Sequence, residues 1–482
     1  MEITMAELQP DEKSKIRVFP IMTAFLISGF IGMFSETALN ITLNDLMNIF
    51  NITPATVQWL TTIYLLTFGI LVPVSGLLLR WFTTRQLFIT SLGFSITGSL
   101  VAALASSFVL LLIARVLQAI GTGLLLPLMF NSVLVIFPSE KRGTAMGIVG
   151  FVIMSAPAIG PTLAGLLTEN LNWHWIFWLS LPFLLTSLLC GVLYMQNIST
   201  ITKPKIDLLS ILLSTIGFGG IVFGFSSAGE VSGWSSSSVL ISLIAGTAAL
   251  ICFTFRQLSL DQPILNLRVF KYPLFALGVL LVVICMIIIL SSVIILPIYL
   301  QGALGVSMFL AGLIMLPGGL VNGIMSQVTG RLFDKTGPKA LVISGFFIVT
   351  VVTWLLSGIT QFSAITLIVA LHSCLMLGTA LVMTPVQTNA LNQLPRQLYP
   401  DGTAIMTTLQ QVAGAVGTAL AMCFLAVGRE SYLNSIGSPA DPSIIPAALV
   451  SGVQNAFLFT LVASVIGLLF ALLLGNKTQS TS

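Results

Sequence analysis

Charge is scarce in this chain, and two charged side chains stand where charge is costly. Glu36 and Arg115 each lie inside a long apolar run, and a charge at the centre of a membrane helix costs about 2.5–3.5 kcal/mol on insertion scales. Glu36 falls about seven residues before the end of the first run and Arg115 about seven after the start of the fourth, roughly 10 Å below one surface at the helical rise. Equal depth and opposite charge make them candidate partners, directly or through Gln118 or water. Two readings stand. One is a permanent ion pair that pins two helices. The other is a titrating carboxylate whose hold on a proton or a cationic cargo changes as the helices move. Burial and a nearby guanidinium act on its protonation in opposite senses, so a small rearrangement suffices to switch it.

His372, in the twelfth run, is either a second group able to titrate near neutral pH or a hydrogen-bonded packing residue. Amides recur inside other runs at Asn40, Asn131, Asn322, Gln327, Gln387, Asn389, Gln410 and Gln411. Such groups glue helices together or line a wet cavity, and the sequence does not sort them. Asn40, Tyr64, Gln118, His372 and Gln387 are taken as the candidate cargo-cavity residues. A membrane-embedded enzyme needs a nucleophile and a base together. No Ser/His or Asp/His pair at helical spacing is convincing here, and cofactor and metal motifs are missing. The expectation is a protein that is not an enzyme.

The elements that must hold these groups follow from composition. The chain has 482 residues, 56% hydrophobic and 7% charged, against about 25% charged in an ordinary soluble domain. So few charges cannot cover a water-facing surface at this length. A soluble enzyme, a disordered protein and a nucleic-acid binder are excluded, and a net charge of +4 calls for no anionic partner. The partner is the lipid bilayer. A membrane helix needs about 20 mostly apolar residues. Fourteen runs qualify, near 18–43, 55–79, 86–106, 108–136, 141–167, 174–195, 208–228, 238–258, 273–300, 306–330, 339–359, 364–391, 402–428 and 449–475.

Placing the N-terminus in the cytoplasm puts all but two of the 19 Lys and Arg on the inner side. They are Lys13, Lys15, Arg17, Arg80, Arg85, Lys141, Arg142, Lys203, Lys205, Arg256, Arg268, Lys271, Arg331, Lys335, Lys339, Arg396 and Lys477. Only Arg429 falls outside, and Arg115 lies within a span. This positive-inside bias supports an even number of spans with both termini cytoplasmic. Met1–Arg17 has no small-residue cleavage site and does not read as a signal peptide, so the first run reads as a retained helix. The five cysteines sit in apolar stretches without paired spacing and read as small packing residues. Residues 256–272 read as an inner-face linker at the interface, and 429–447 as an external loop with three prolines. Pro317, Gly318 and Gly319 suggest a broken or bent tenth helix. The small residues of span five, with Gly160, Pro161 and Gly165, serve either tight packing or a hinge.

Several motifs now fall in order. Span one reads Glu36-Thr37-Ala38-Leu39-Asn40-Ile41-Thr42-Leu43. Span two carries Gln58-Trp59, Tyr64-Leu65 and Pro73, and span four Arg115, Gln118 and Gly121. Span five carries Gly160-Pro161 and Gly165, and Trp173-His174-Trp175-Ile176-Phe177 opens span six. Together they resemble the fourteen-span drug:proton antiporter branch of the major facilitator superfamily, the EmrB/QacA-like exporters. The ETxLN variant of span one is similar to the lincomycin-resistance type. The branch's usual acid position is Ser35, with Glu36 one residue and about 100° of helix along.

The superfamily's gating loop, G-x-L-a-D-R-x-G-R-[KR], occurs twice and unequally. Gly330-Arg331-Leu332-Phe333-Asp334-Lys335-Thr336-Gly337 keeps its glycines and its acid. Gly76 to Arg85 has Arg80 where the acid belongs, so the expected inner gate residue is Asp334.

The resemblance implies an all-α major facilitator fold, with a six-helix bundle over 1–200, two inserted helices and a linker over 201–272, and a second six-helix bundle over 273–482. It implies export of small amphiphilic or cationic drug-like compounds across a bacterial plasma membrane in exchange for protons, with no cofactor beyond the proton gradient, by a monomer. Glu36 carries the proton, Arg115 tunes it, and Asp334 with Arg331 and Lys335 gates the inner side between Gly330 and Gly337. An exporter of a native metabolite, lipid or signalling molecule, with drug efflux incidental, is the alternative.

Overall fold

The computed structural model describes residues 18–198, 201–204, 206–228, 233–234, 236–436 and 444–475, with the backbone alone at 40, 41, 44, 54, 55 and 308. The expected inner bases Lys13, Lys15, Arg17, Lys205 and Lys477 lie outside the described residues, as does the side chain of Asn40. Among the described residues, fourteen helices are long and apolar enough to cross a membrane. They are α1 (Val18–Ala38), α2 (Pro54–Trp81), α3 (Thr84–Ala103), α4 (Phe108–Ile136), α5 (Arg142–Asn170), α6 (Trp175–Tyr194), α7 (Leu208–Ala228), α8 (Ser237–Ser259), α9 (Pro273–Gly302), α10 (Met308–Thr336), α11 (Lys339–Leu356), α12 (Ile365–Asn392), α13 (Tyr399–Ile436) and α14 (Ile445–Ala471).

Local chemistry sets many of the helix starts. Hydroxyls of Thr53, Ser107 and Ser307 accept from the amides of Thr56, Leu110 and Leu310, satisfying first-turn donors of α2, α4 and α10. Thr83 and Gln86 form a reciprocal capping box at the start of α3. Such groups matter because an unpaired backbone donor in lipid has no water to turn to.

Three expectations are corrected. The first run does not continue as one helix to residue 43. It stops at Ala38, tightens into a 3-10 turn over Leu39–Thr42 and resumes as the short helix Leu43–Phe50. Of the broken and bent alternatives for the tenth run, the broken one is set aside, since α10 is continuous from Met308 to Thr336. Breaking it would strand backbone groups in hydrocarbon, and Gly318 and Gly319 serve close contact instead: Gly318 lies under the His372 ring and Gly319 on Ala158. The polar stretch after 429 is helical through Ile436, so α13 runs on beyond the expected loop start. Residues 437–443 of that loop lie outside the described residues.

The neighbour pattern repeats. In the first half α1 packs on α4, α5 and α6, α4 also on α2 and α3, and α3 on α6; adding eight to every number gives pairs that also pack in the second half, where α13 packs on α14 as well. The helices α7 and α8 pack on each other, and α7 also lies along α2 and α13. The two halves meet along two seams, α5 with α10 and α2 with α13.

Candidate functional site

Arg115 is wholly buried on α4 and does not pair with the Glu36 carboxylate. Its guanidinium donates to the carbonyls of Ser35 (2.6 Å), Leu60 (3.2 Å) and Glu36 (3.4 Å), and to Gln118 Oε1 (3.2 Å). It also lies over the Tyr64 ring, 4.3 Å from the centroid. The reason lies in α1. The Ser35 and Glu36 carbonyls lie in the last turn of α1, where a cation meets the negative pole of the helix. Arg115 thus ties the last turn of α1 to α4, and of the routes expected between it and Glu36, direct or through Gln118 or water, the direct ion pair is not formed. The Tyr64 hydroxyl lies within bonding distance of Gly32 O (3.2 Å) and Thr122 Oγ1 (3.0 Å), while Gln118 donates to Ser99 (3.2 Å). Both side chains are buried within the helix packing.

Glu36 is left with Oε2 buried and without a hydrogen-bond partner. The next residue, Thr37, lies against Gly160, where an added Cβ would stand 2.6 Å from the threonine hydroxyl. The small-residue helix α5 thus bears directly on the turn that carries Glu36. Pro161 is half-buried and Gly165 is buried, both within an unbroken α5. Among the amides, Asn322 bonds Met376 O and Thr379 Oγ1, both at 2.9 Å, and so ties α10 to α12. Asn131 Oδ1, Gln387 Nε2, Gln410 Nε2 and His372 Nδ1 are buried without a partner.

The end of the molecule that collects the basic loops is joined across the seams. Asp334 near the end of α10 accepts from the amides of Gly143 and Thr144 (both 2.8 Å) and from the Thr144 hydroxyl (2.5 Å). A carboxylate on the free first-turn amides of α5 meets both the orphan donors and the positive helix pole. Gly330 and Gly143 face each other so closely that a Cβ on either would run into the other helix's atoms. Gly337 ends α10 at φ +77°, in the left-handed region that glycine enters freely. Arg331 and Lys335 are exposed. Neither is bonded to Asp334, whose oxygens accept from the first turn of α5. Arg142 adds a bond the sequence did not suggest, donating to Leu134 O (2.6 Å), to Phe137 O (3.0 Å) and across the seam to Asn392 Oδ1 (2.9 Å).

Arg80 is paired with Asp401 at 3.1 Å. Asp401 lies in the first turn of α13 and is wholly buried. The second half thus does contain a buried carboxylate at a span end, which sequence reasoning missed. Its only signal was the anomalous Arg80 in the other half.

The α5–α10 seam runs from Gly143 and Gly330 through Gly147 on Ser326 and Gly323 on Phe151 to Gly319 on Ala158. Beyond that level the next glycines face their own half, Gly160 on Thr37 and Gly318 on His372. Among the described residues, fourteen helices long enough to span a membrane pack as two like halves that meet along the α5–α10 and α2–α13 seams, the architecture of a polytopic membrane protein. The chain belongs to the Major Facilitator Superfamily, whose family model matches residues 25–418. It is 64% identical over 456 residues to the lincomycin resistance protein LmrB of Bacillus subtilis (strain 168), covering 94% of this chain and 95% of that one. It is 58% identical to the LmrB of Listeria monocytogenes over 95% of this chain and 97% of that one. The human organic anion transporter MFSD10 shares the fold, with a TM-score of 0.62 at 12% identity, covering 96% of this chain and 100% of the other.

Proposed function

We propose that the chain is a multidrug exporter of the bacterial plasma membrane that expels small amphiphilic or cationic compounds, antibiotics among them, in exchange for protons. The antibiotic-resistance relatives support the direction and class of cargo. The observation that carries the coupling is the Glu36 carboxyl, one oxygen of which, Oε2, is buried without a partner while the neighbouring guanidinium is engaged by carbonyls. An intramembrane carboxyl so placed has two stable uses, as an acid holding a proton and as an anion holding a cationic cargo. It cannot serve both at once. Protonation releases cargo, and deprotonation restores the binding state.

In this cycle the basic end faces the cytoplasm, with both termini there, and the bundles are joined at that end. Asp334 on the first turn of α5 is the gate contact that must release for cargo to enter. Glu36 in one bundle and His372 in the other flank the level where the α5–α10 seam ends, the level assigned here to cargo. The chain acts as a monomer, since one copy contains both bundles and both seams.

The decisive measurement is drug and dye transport in inverted vesicles, wild type against Glu36→Gln, with and without an imposed pH gradient. The variant is expected to lose gradient-driven export. Full-rate export by Glu36→Gln under the gradient removes Glu36 from the coupling.

A further inference from the structure

The two inserted helices have contacts beyond filling space. Both chain segments that connect them to the bundles converge on Arg80. On the entry side the amides of Thr202 and Lys203 donate to the Arg80 carbonyl (3.0 and 3.2 Å), and the Trp81 indole donates to Pro204 O (2.8 Å). On the exit side one terminal nitrogen of Arg80 lies within bonding distance of Pro263 O (3.2 Å), Ile264 O (2.6 Å) and Asp401 Oδ1 (3.1 Å). The same carboxylate oxygen accepts from the Asn266 amide (2.9 Å). Pro263, Ile264 and Leu265 are buried, and Leu265 borders Gly76, where α2 approaches Ala404 and Pro400 of α13.

The end of α8 is also fastened to the entry segment, to α7 and to the exit segment. Asp207 takes two bonds from Arg256 (2.6 and 2.9 Å), and Gln257 bonds Ser210 and the Leu265 amide. Above them α7 runs along the α2–α13 seam, with Gly69 against Val222 and Gly219 against Ile70. The seam on the α5–α10 side has no such cover among the described residues.

We infer that the inserted pair is a clasp on one seam of the inner gate, closed by Arg80, Asp401 and the backbone of residues 263–266. The inference rests on the reading that the basic end is the gated, cytoplasmic side. Parting α2 from α13 strips Asp401 of its cation and strips two buried carbonyls of their donor. A buried charge that loses its hydrogen-bonded partner is strongly penalised. The clasp therefore biases the resting transporter toward a closed inner end, and Arg80 and Asp401 are positioning residues for the transport cycle.

The test is the rate at which a hydrophilic maleimide labels a cysteine buried in the other seam. Ser326→Cys in a background without the five native cysteines reports opening of the α5–α10 seam, because Ser326 is buried against Gly147 and Gly150. Labelling is read from the cytoplasmic face of inverted vesicles. Arg80→Gln and Asp401→Asn are each expected to raise the rate about tenfold or more, as for loss of a buried charge partner, while eluting as monodisperse protein. Unchanged labelling in both folded variants overturns the clasp.

The charge exchange Arg80→Asp with Asp401→Arg separates a clasp from a simple ion pair. An aspartate at 80 cannot donate to the carbonyls of Pro263 and Ile264, so the exchange is expected to remain open. Restoration of wild-type labelling by the exchange also overturns the proposal. Insertion of two glycines after Ser259 slackens the exit segment without touching either charge, and is expected to raise labelling as well. Because labelling needs neither drug nor pH gradient, its outcome stands apart from that of Glu36→Gln.

Discussion

At the scale of the residue, the two charges set within the spans of the first bundle, Glu36 and Arg115, have different duties. Arg115 ties three carbonyls from two helices, those of Ser35, Glu36 and Leu60, to α4. A lysine there offers one compact ammonium in place of a planar fork. Arg115→Lys is expected to lower thermal stability in detergent by about 2–3 kcal/mol, the scale of buried charge-assisted hydrogen bonds. Glu36→Gln removes a buried oxygen that bonds to nothing, so its thermal transition should match or exceed the wild type while gradient-driven export is lost. A large fall in stability for Glu36→Gln contradicts the assignment. Both residues were legible because each interrupts an apolar run. The partnership was not, since a carbonyl acceptor leaves no mark in a sequence. Arg80 and Asp401 were harder still: each sits at a span end, where charge is unremarkable, and 321 positions separate them.

At the scale of the element, helix limits followed from apolar length and turn chemistry. Most of the fourteen runs agree with α1–α14 to within a few residues, because in lipid a helix has no alternative pairing for its backbone. The failures had physical causes. A proline inside α10 did not break it, and α1 tightens into a 3-10 turn after Ala38 beside the Arg115 guanidinium. The small residues of α5 and α10 are spaced for contact between helices, which no single-helix pattern reveals. Gly330 meets the Gly143 carbonyl so closely that a methyl group has no room. Gly330→Ala should force the inner ends apart, at the roughly 1–3 kcal/mol cost of overpacking. Expected is faster labelling of Ser326→Cys from the cytoplasmic side, and slow labelling at the wild-type rate contradicts the seam.

At the scale of the whole molecule, the two seams are unlike. One is lined by small residues and uncovered; the other is backed by α7 and tied through the connecting segments. The join between α8 and the entry segment has its own pH signature. Arg256 hydrogen-bonded to the Asp207 carboxylate holds that acid down to about 2 from an ordinary value of 3.8. A carboxylate depressed by folding contributes stability that is complete above about pH 4 and lost as the pH falls toward 2. The contribution is modest, because both partners are part exposed. The difference in unfolding temperature between wild type and Asp207→Asn should be constant above about pH 4 and vanish toward pH 2. A difference that grows as the pH falls contradicts this assignment. The repeat of one gating loop in two halves was visible in sequence, but the packing repeat appears only once neighbours are known.

That repeat, a shift by eight in which six helices build each half, carries a rule of parity. Each added crossing reverses the direction of every helix that follows. One extra helix would turn the second half upside down, placing Asp334 and Asp401 on the face opposite Arg80 and Arg142. Two leave every later helix pointing as before. The hairpin α7–α8 is thus the smallest insertion that a doubled transporter can accept between its halves without inverting one of them.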